Sequence, residues 1–303
     1  VTRALFARLI GVLALIASPR VEAEPLALLA PGPTDDARQA VALGPHGEVY
    51  APDGKGAWVR TQRITTVDTL AVAGRAAGAV VASGEGVVYK LAPNGWSAIR
   101  LHQKDKAVMA SGPRAVAAVN RQLYALHLGA RGEPEKLALA PSPILAIGAG
   151  KTIVIAMASG LARVDRKKLE PIAGAPKQVL SLVDDRWAIV ATGAFDLRAR
   201  KPIAWPGSTV TAATVGPTGN LVAVARRAGK LELLTVEASV IREALDAPPS
   251  ATAVGIVVDR ANRVAIALAD GRILTRDRGS WTTTSVVSRL PDPRPGAGPA
   301  RSP

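Results

Sequence analysis

Cysteine is absent from the 303-residue chain, histidine occurs only three times, and the aromatic residues are limited to five Trp, three Tyr and two Phe. The first absence excludes disulfide frameworks, Cys-ligated zinc, iron-sulfur clusters and thiol nucleophiles. Three scattered histidines leave no His-rich metal site, and no loop offers the dense run of oxygen ligands that calcium needs, so neither a metal nor a cofactor is expected. So few rings argue against single-stranded nucleic acid, which is held on stacking platforms. They argue equally against a sugar site built on aromatic faces. No apolar run approaches the roughly 20 residues of a membrane-spanning helix. What remains is the composition of a globular chain: 48% hydrophobic, 20% charged, with a net charge of +14 that favours anionic partners.

Both ends read as something other than core. Arg3 and Arg8 precede the apolar run Leu9 to Ala17, Ser18-Pro19-Arg20 break it, and Val21-Glu22-Ala23 places small residues at a cleavage position. That order predicts a secretory signal peptide over residues 1–23 and a periplasmic or secreted protein beginning near Glu24. Its removal leaves 35 Lys plus Arg against 23 Asp plus Glu, a net +12. Residues 290–303, rich in proline and glycine, predict a disordered tail. A single domain is therefore expected over residues 24–289.

Within that span, turn residues interrupt every apolar run after five to eight residues, and no 3.6-residue period develops. One segment type recurs seven times: 39–43, 79–83, 115–119, 152–156, 187–191, 221–225 and 264–268, each a near-continuous run of small and branched residues. Such a run is expected of a strand buried on both faces. A tight turn follows each, with glycine at 47, 86, 160, 193, 229 and 271 and Arg121-Gln122 in the third repeat. Hairpin turns of this kind call for positive backbone angles. From Gly47 to Gly271 the period is about 37 residues. A third strand follows each turn. A fourth opens on tryptophan at Trp58, Trp96 and Trp281, where the ring could cover a blade's outer edge, and a first strand precedes each run.

Four short strands repeated seven times fit a β-propeller, which closes its sheet edges radially. Six or eight blades, a solenoid of stacked hairpins and a double β-sandwich are the competing all-β architectures. By this pattern the chain resembles the superfamily of seven-bladed β-propeller repeat proteins over roughly residues 25–288. It lacks the Gly-His and Trp-Asp signatures of WD40 repeats, so that family's histidine network is not implied. The turn Thr275-Arg276-Asp277-Arg278-Gly279-Ser280-Trp281 is similar to an Asp-box hairpin, one residue short, and an Asp-box implies fold and not glycoside chemistry.

Catalytic sets are hard to assemble. Gly-x-Ser-x-Gly and phosphate-cradling loops are missing, and Asp35-Asp36 and Asp184-Asp185 read as turn caps. One distribution stands out: Arg38, Arg75, Arg114, Lys151, Arg186 and Arg263 each stand at or shortly before the second strand of a unit. In a propeller such turns share one face, so these residues would form a basic ring for an anionic envelope component or a protein. They would equally guard strand edges. The expected function is a non-catalytic protein-binding or assembly scaffold. The alternative is a hydrolase or lyase at the central channel mouth, using His102, Lys104, Asp105, Lys106 or Asp246.

Overall fold

The computed structural model describes residues 23–32, 36–64, 69–73, 80–83, 86–92, 95–101, 107–109, 115–126 and 133–287. Among them lie twenty-eight strands, β1 to β28, one 3-10 turn at Ala37–Gln39, and no α-helix. The strands fall into consecutive groups of four. The innermost are β1 (Leu28–Ala30), β5 (Thr69–Ala73), β9 (Ala107–Met109), β13 (Ile144–Ala149), β17 (Ser181–Val183), β21 (Ser208–Val215) and β25 (Ala253–Val258). The second strands are β2 (Val41–Leu43), β6 (Val80–Ser83), β10 (Val116–Val119), β14 (Ile153–Met157), β18 (Trp187–Val190), β22 (Leu221–Arg227) and β26 (Val264–Leu268). These coincide with the seven recurring runs, and β2, β10, β14 and β26 are buried along their whole length.

Third strands follow: β3 (Glu48–Pro52), β7 (Val87–Ala92), β11 (Gln122–Ala125), β15 (Gly160–Asp165), β19 (Gly193–Asp196), β23 (Lys230–Val236) and β27 (Arg272–Asp277). The outer strands are β4 (Trp58–Arg63), β8 (Gly95–Arg100), β12 (Glu135–Leu139), β16 (Lys168–Pro171), β20 (Lys201–Ala204), β24 (Val240–Ala244) and β28 (Ser280–Val287). Pairing within each group is antiparallel. Five groups stand as separate four-stranded sheets, while β1–β4 and β25–β28 join into one eight-stranded sheet through a short parallel pairing of β28 with β4.

Each inner strand packs beside the inner strand of the next unit, and β25 packs back on β1. The ring therefore closes, and the chain is a β-propeller. Every unit is built from consecutive strands, so among the described residues no exchanged strand locks the first blade to the last. Closure rests on the packing of Leu29, Tyr50 and Trp58 against Ala265, Ile273 and Val286, and on the two-residue clip Val286–Trp58 and Val287–Val59. Close approach of inner strands needs small residues: a Cβ on Gly148 would lie 1.8 Å from the Asp184 carbonyl oxygen, and one on Gly255 would lie 2.5 Å from the Leu29 amide nitrogen.

Two details depart from expectation. Gly47, Gly86, Gly160, Gly229 and Gly271 have positive φ, as does Asn120 in the third repeat, but Gly193 does not. Gly193 is required instead by proximity, since a Cβ there would meet the Ile203 carbonyl oxygen at 2.1 Å. The tryptophans also pack between blades: Trp58 belongs to the closure core, and the Trp281 indole donates to Glu243 Oε1 of the preceding blade at 2.6 Å.

Candidate functional site

Alternation of strand direction puts the first-to-second and third-to-fourth turns on one face. The starts of the inner strands, the second-to-third turns and the ends of the outer strands share the other. Arg38, Lys151, Arg186 and Arg263 all lie in first-to-second connections, while Arg75 and Arg114 fall outside the described residues. Carboxylates meet the arginines. Arg38 donates Nη2 to Asp36 Oδ2 at 3.0 Å, Arg186 donates Nε and Nη2 to Asp196 Oδ2 at 3.0 and 2.7 Å, and Arg263 donates Nε to Asp259 Oδ2 at 2.6 Å and pairs with Asp36 at 3.1 Å. Lys151 is exposed and makes no ion pair among the described residues.

These bonds also lace neighbouring turns. The backbone N–H and hydroxyl of Thr152 donate to Asp185 Oδ2 of the next blade at 2.9 and 3.0 Å. Arg186 and the Trp187 indole both reach the Gly219 carbonyl at 3.2 Å, with the Arg186 guanidinium 4.4 Å above the Trp187 ring. Across the closure seam, Ala37 N–H donates to Asp259 Oδ2 at 3.1 Å. Burial pushes the Asp259 carboxyl up, but the N–H groups of Arg263 and Ala37 and the Arg263 guanidinium outweigh it and hold the pKa below the usual carboxylate value. Asp185 and Asp196 are depressed in the same way, by donors from Thr152 and Arg198 and from Arg186, Ala199 and Arg198 respectively. Much of the basic character of this face is thus matched at short range.

The opposite face differs. In β13 the pairing register slips between Ile144 and Ala146, leaving Leu145 as an extra residue. The same slip isolates Leu70, Thr211 and Val254 in β5, β21 and β25. Leu180 and Ala27 repeat it, each donating its N–H to a carbonyl whose residue pairs with the next position, Ile189 with Ser181 and Leu43 with Leu28. A bulge bends the strand and re-aims a side chain. Here it turns apolar side chains outward: Leu145 is 58% and Leu180 60% exposed, and Leu139, at the end of β12 on this same face, is 65% exposed. Asp246 is exposed in the β24–β25 connection and makes no hydrogen bond or ion pair among the described residues. His102, Lys104, Asp105 and Lys106 lie outside the described residues.

One carboxylate cluster here was not anticipated. Ser208 Oγ donates to Glu232 Oε1 at 2.6 Å while Arg242 holds the same oxygen. A carboxylate already engaged by a guanidinium makes a poor base, so the trio is a brace within one blade and not a nucleophile and base. Among the described residues no group of three His, Asp or Glu side chains could hold a metal ion.

A third feature lies at the closure seam. Between the first and last blades an open cleft of about 680 Å³ is lined by Asp36, Arg38, Gly54, Trp58, Thr282 and Thr284, among others. Trp58, part of that lining, is 4% exposed, and its indole N–H makes no hydrogen bond among the described residues.

No protein-family model matches the chain, and no curated protein is similar to it in sequence. Solved structures share its fold. The WD40 β-propeller domain of Doa1 is 10% identical, with a TM-score of 0.60 over 86% of this chain and 96% of that one. A streptogramin B lyase is 13% identical, with a TM-score of 0.64 over 88% and 95%. PorZ, a bacterial surface component of the type-IX secretion system of Porphyromonas gingivalis, is 13% identical with a TM-score of 0.58; the likeness covers 88% of this chain and 38% of PorZ. At these identities the likeness establishes the propeller fold and nothing finer.

Proposed function

We propose that the chain is an exported, non-catalytic propeller that binds another protein across the face on which its inner strands begin. The observation that carries this reading is the group of exposed leucines 139, 145 and 180 on a rigid all-β ring. Isolated exposed leucines are ordinary; three on one face of consecutive blades, two of them presented by bulges, fit a contact surface. The signal-peptide order of residues 1–23 supports export, and so does the surface role of PorZ among similar folds. Arg38, Arg75, Arg114, Lys151, Arg186 and Arg263 stand in this reading as a secondary, charge-based contact for an anionic partner, with Lys151 its freest described member. A hydrolase or lyase at the channel mouth is the competing reading, favoured by the lyase among similar folds.

The test captures proteins from an envelope extract on the full chain, on Leu145→Glu/Leu180→Glu and on Lys151→Glu, in low and high salt. A protein held by the parent and by Lys151→Glu but lost from the leucine variant supports the reading. Retention by the leucine variant refutes it, and loss in high salt and from Lys151→Glu moves the contact to the turn face. Capture of nothing by the parent favours the enzymatic alternative.

A further inference from the structure

A sheet edge offers unpaired N–H and C=O groups to any extended chain, and natural proteins protect such edges with charges, proline or short length. Six of the outer strands here are protected in these ways. β4 carries Arg60 and Arg63, β8 ends on Arg100, β12 begins Glu135-Lys136, β16 holds Lys168, Glu170 and Pro171, β20 begins Lys201-Pro202, and β24 contains Arg242-Glu243. β28 is different. Its sequence, Ser-Trp-Thr-Thr-Thr-Ser-Val-Val, has no charge and no proline, and at eight residues it is longer than the four to six of the others.

The backbone of β28 has a definite polarity. Val286 donates its N–H inward to the Gly271 carbonyl of the β27 side at 2.8 Å. In an antiparallel pair successive residues alternate between facing the partner and facing away, so the N–H and C=O of Trp281 and Thr283 point outward. The end of this edge already accepts a strand, since β4 pairs with it in parallel at Val286 and Val287. Below that clip the two strands part, and the 680 Å³ cleft opens beside the free stretch. Thr282 and Thr284 line one wall and Gly54 and Gly56 the other, and nothing lies within 4 Å of a Cβ placed on either glycine. Trp58 and the paired Asp36 and Arg38 complete the lining.

We propose that the outer edge of β28 from Ser280 to Ser285 is a strand-addition site that takes an extended, uncharged peptide segment of a partner protein. Trp281 and Thr283 supply its main-chain hydrogen bonds, and the cleft receives alternate side chains. The hydroxyl-rich wall selects side chains with an oxygen acceptor, such as Thr, Ser, Asn and Gln, interleaved with β-branched residues that suit the pleat. This site uses none of the leucines of the proposed docking face and stands or falls apart from it.

The experiment selects a phage-displayed library of random peptides of about eight residues on the immobilised full chain, then measures a selected synthetic peptide on variants. Thr283→Pro deletes an outward N–H that the ladder with β27 does not use, a placement an edge strand tolerates; Thr283→Lys adds a guard and leaves φ free. Proline-free, uncharged peptides should emerge, protect the Trp281 and Thr283 amides from hydrogen exchange, and bind both variants weaker by about tenfold or more. Binding to Leu145→Glu/Leu180→Glu should be unchanged. Selection of no peptide, binding that survives both Thr283 variants, or protection elsewhere overturns the proposal. Self-association of the chain through β28 in preference to the peptide overturns the assignment of a foreign strand as its occupant.

Discussion

Replacing Asp259 with alanine removes the hub of the closure seam. Its carboxylate is 1% exposed and accepts from the N–H groups of Ala261 and Arg263 at 2.8 and 2.9 Å, from Ala37 N–H at 3.1 Å, and from Arg263 Nε at 2.6 Å. Breaking a buried ion pair by deleting one partner costs about 3–5 kcal/mol, because the other charge and its neighbours are left uncompensated. Arg263 keeps Asp36 as a partner at 3.1 Å, which places the expected loss toward the lower half of that range. In a domain of this size each kcal/mol moves Tm by roughly 2 °C, so a fall of about 6–8 °C is expected for Asp259→Ala. Asp259→Asn keeps a turn-capping oxygen and loses the charge, and should fall between the two. Asp270→Ala, at a pair with Arg272 near the surface, is the control, at about 0–1 kcal/mol.

The pH dependence sharpens the test. A carboxyl whose pKa is depressed by folding contributes stability that is complete above its unfolded value, near 4, and is lost as pH falls through the lower folded value. The difference in urea stability between the parent and Asp259→Asn should therefore be constant at neutral pH and close below about pH 4. A loss of under about 1 kcal/mol for Asp259→Ala, or a gap that persists into acid, would refute the placing of this carboxylate at the hub of the seam's polar contacts.

Other consequences can be checked on the same preparations. Gly255→Ala and Gly148→Ala force a methyl against the Leu29 and Asp184 backbones and should each lower Tm by several degrees, at about 1–3 kcal/mol for overpacking; an unchanged melting curve would show that the inner strands can part at little cost. Leu145→Glu/Leu180→Glu should leave Tm within about 2 °C of the parent, because both side chains already face solvent and surface substitutions stay within roughly 0.5 kcal/mol each. The parent itself should lose stability steeply as pH drops below about 4, since Glu48, Asp185 and Asp196 have depressed pKa values like Asp259 and their protonation withdraws several contributions over the same interval. A flat urea midpoint between pH 5 and 3 would contradict that.

The architecture was legible where burial leaves a compositional trace. Runs such as Thr152 to Ala156 and Val264 to Leu268 sit between two neighbouring blades, so both faces must be apolar and the alternation of a half-exposed strand vanishes. The turn cations were visible, but their partners were only partly so. Asp36 and Arg38, or Asp259 and Arg263, stand two to four residues apart and could have been paired by spacing alone. The bond from Ala37 to Asp259 spans 222 positions and has no local signature. Leu145 was hidden for a different reason: in Ile-Leu-Ala-Ile-Gly it reads as one more core residue, and only the inserted register of the bulge turns it out to solvent. The unguarded edge of β28 is written in its composition, yet it becomes meaningful only once the strand is known to be outermost.

The first and last blades are joined by packing, by the two-residue clip and by the Ala37–Asp259 and Asp36–Arg263 contacts, and the cleft beside β28 lies in that joint. An extended segment seated there would touch β28 on one side and the Gly54–Gly56 turn on the other, so it would bind the closed ring and not the opened one. Anything that binds only the closed state stabilises it by RT ln(1 + [L]/Kd), about 2.7 kcal/mol at a hundredfold excess over Kd. A peptide selected on β28 should therefore raise Tm by about 5 °C at that concentration, and should restore part of what Asp259→Ala removes, because both act on the same joint. If the peptide binds yet leaves the melting of that variant unmoved, strand addition and ring closure are energetically separate, and the seam is a docking surface without being a hinge.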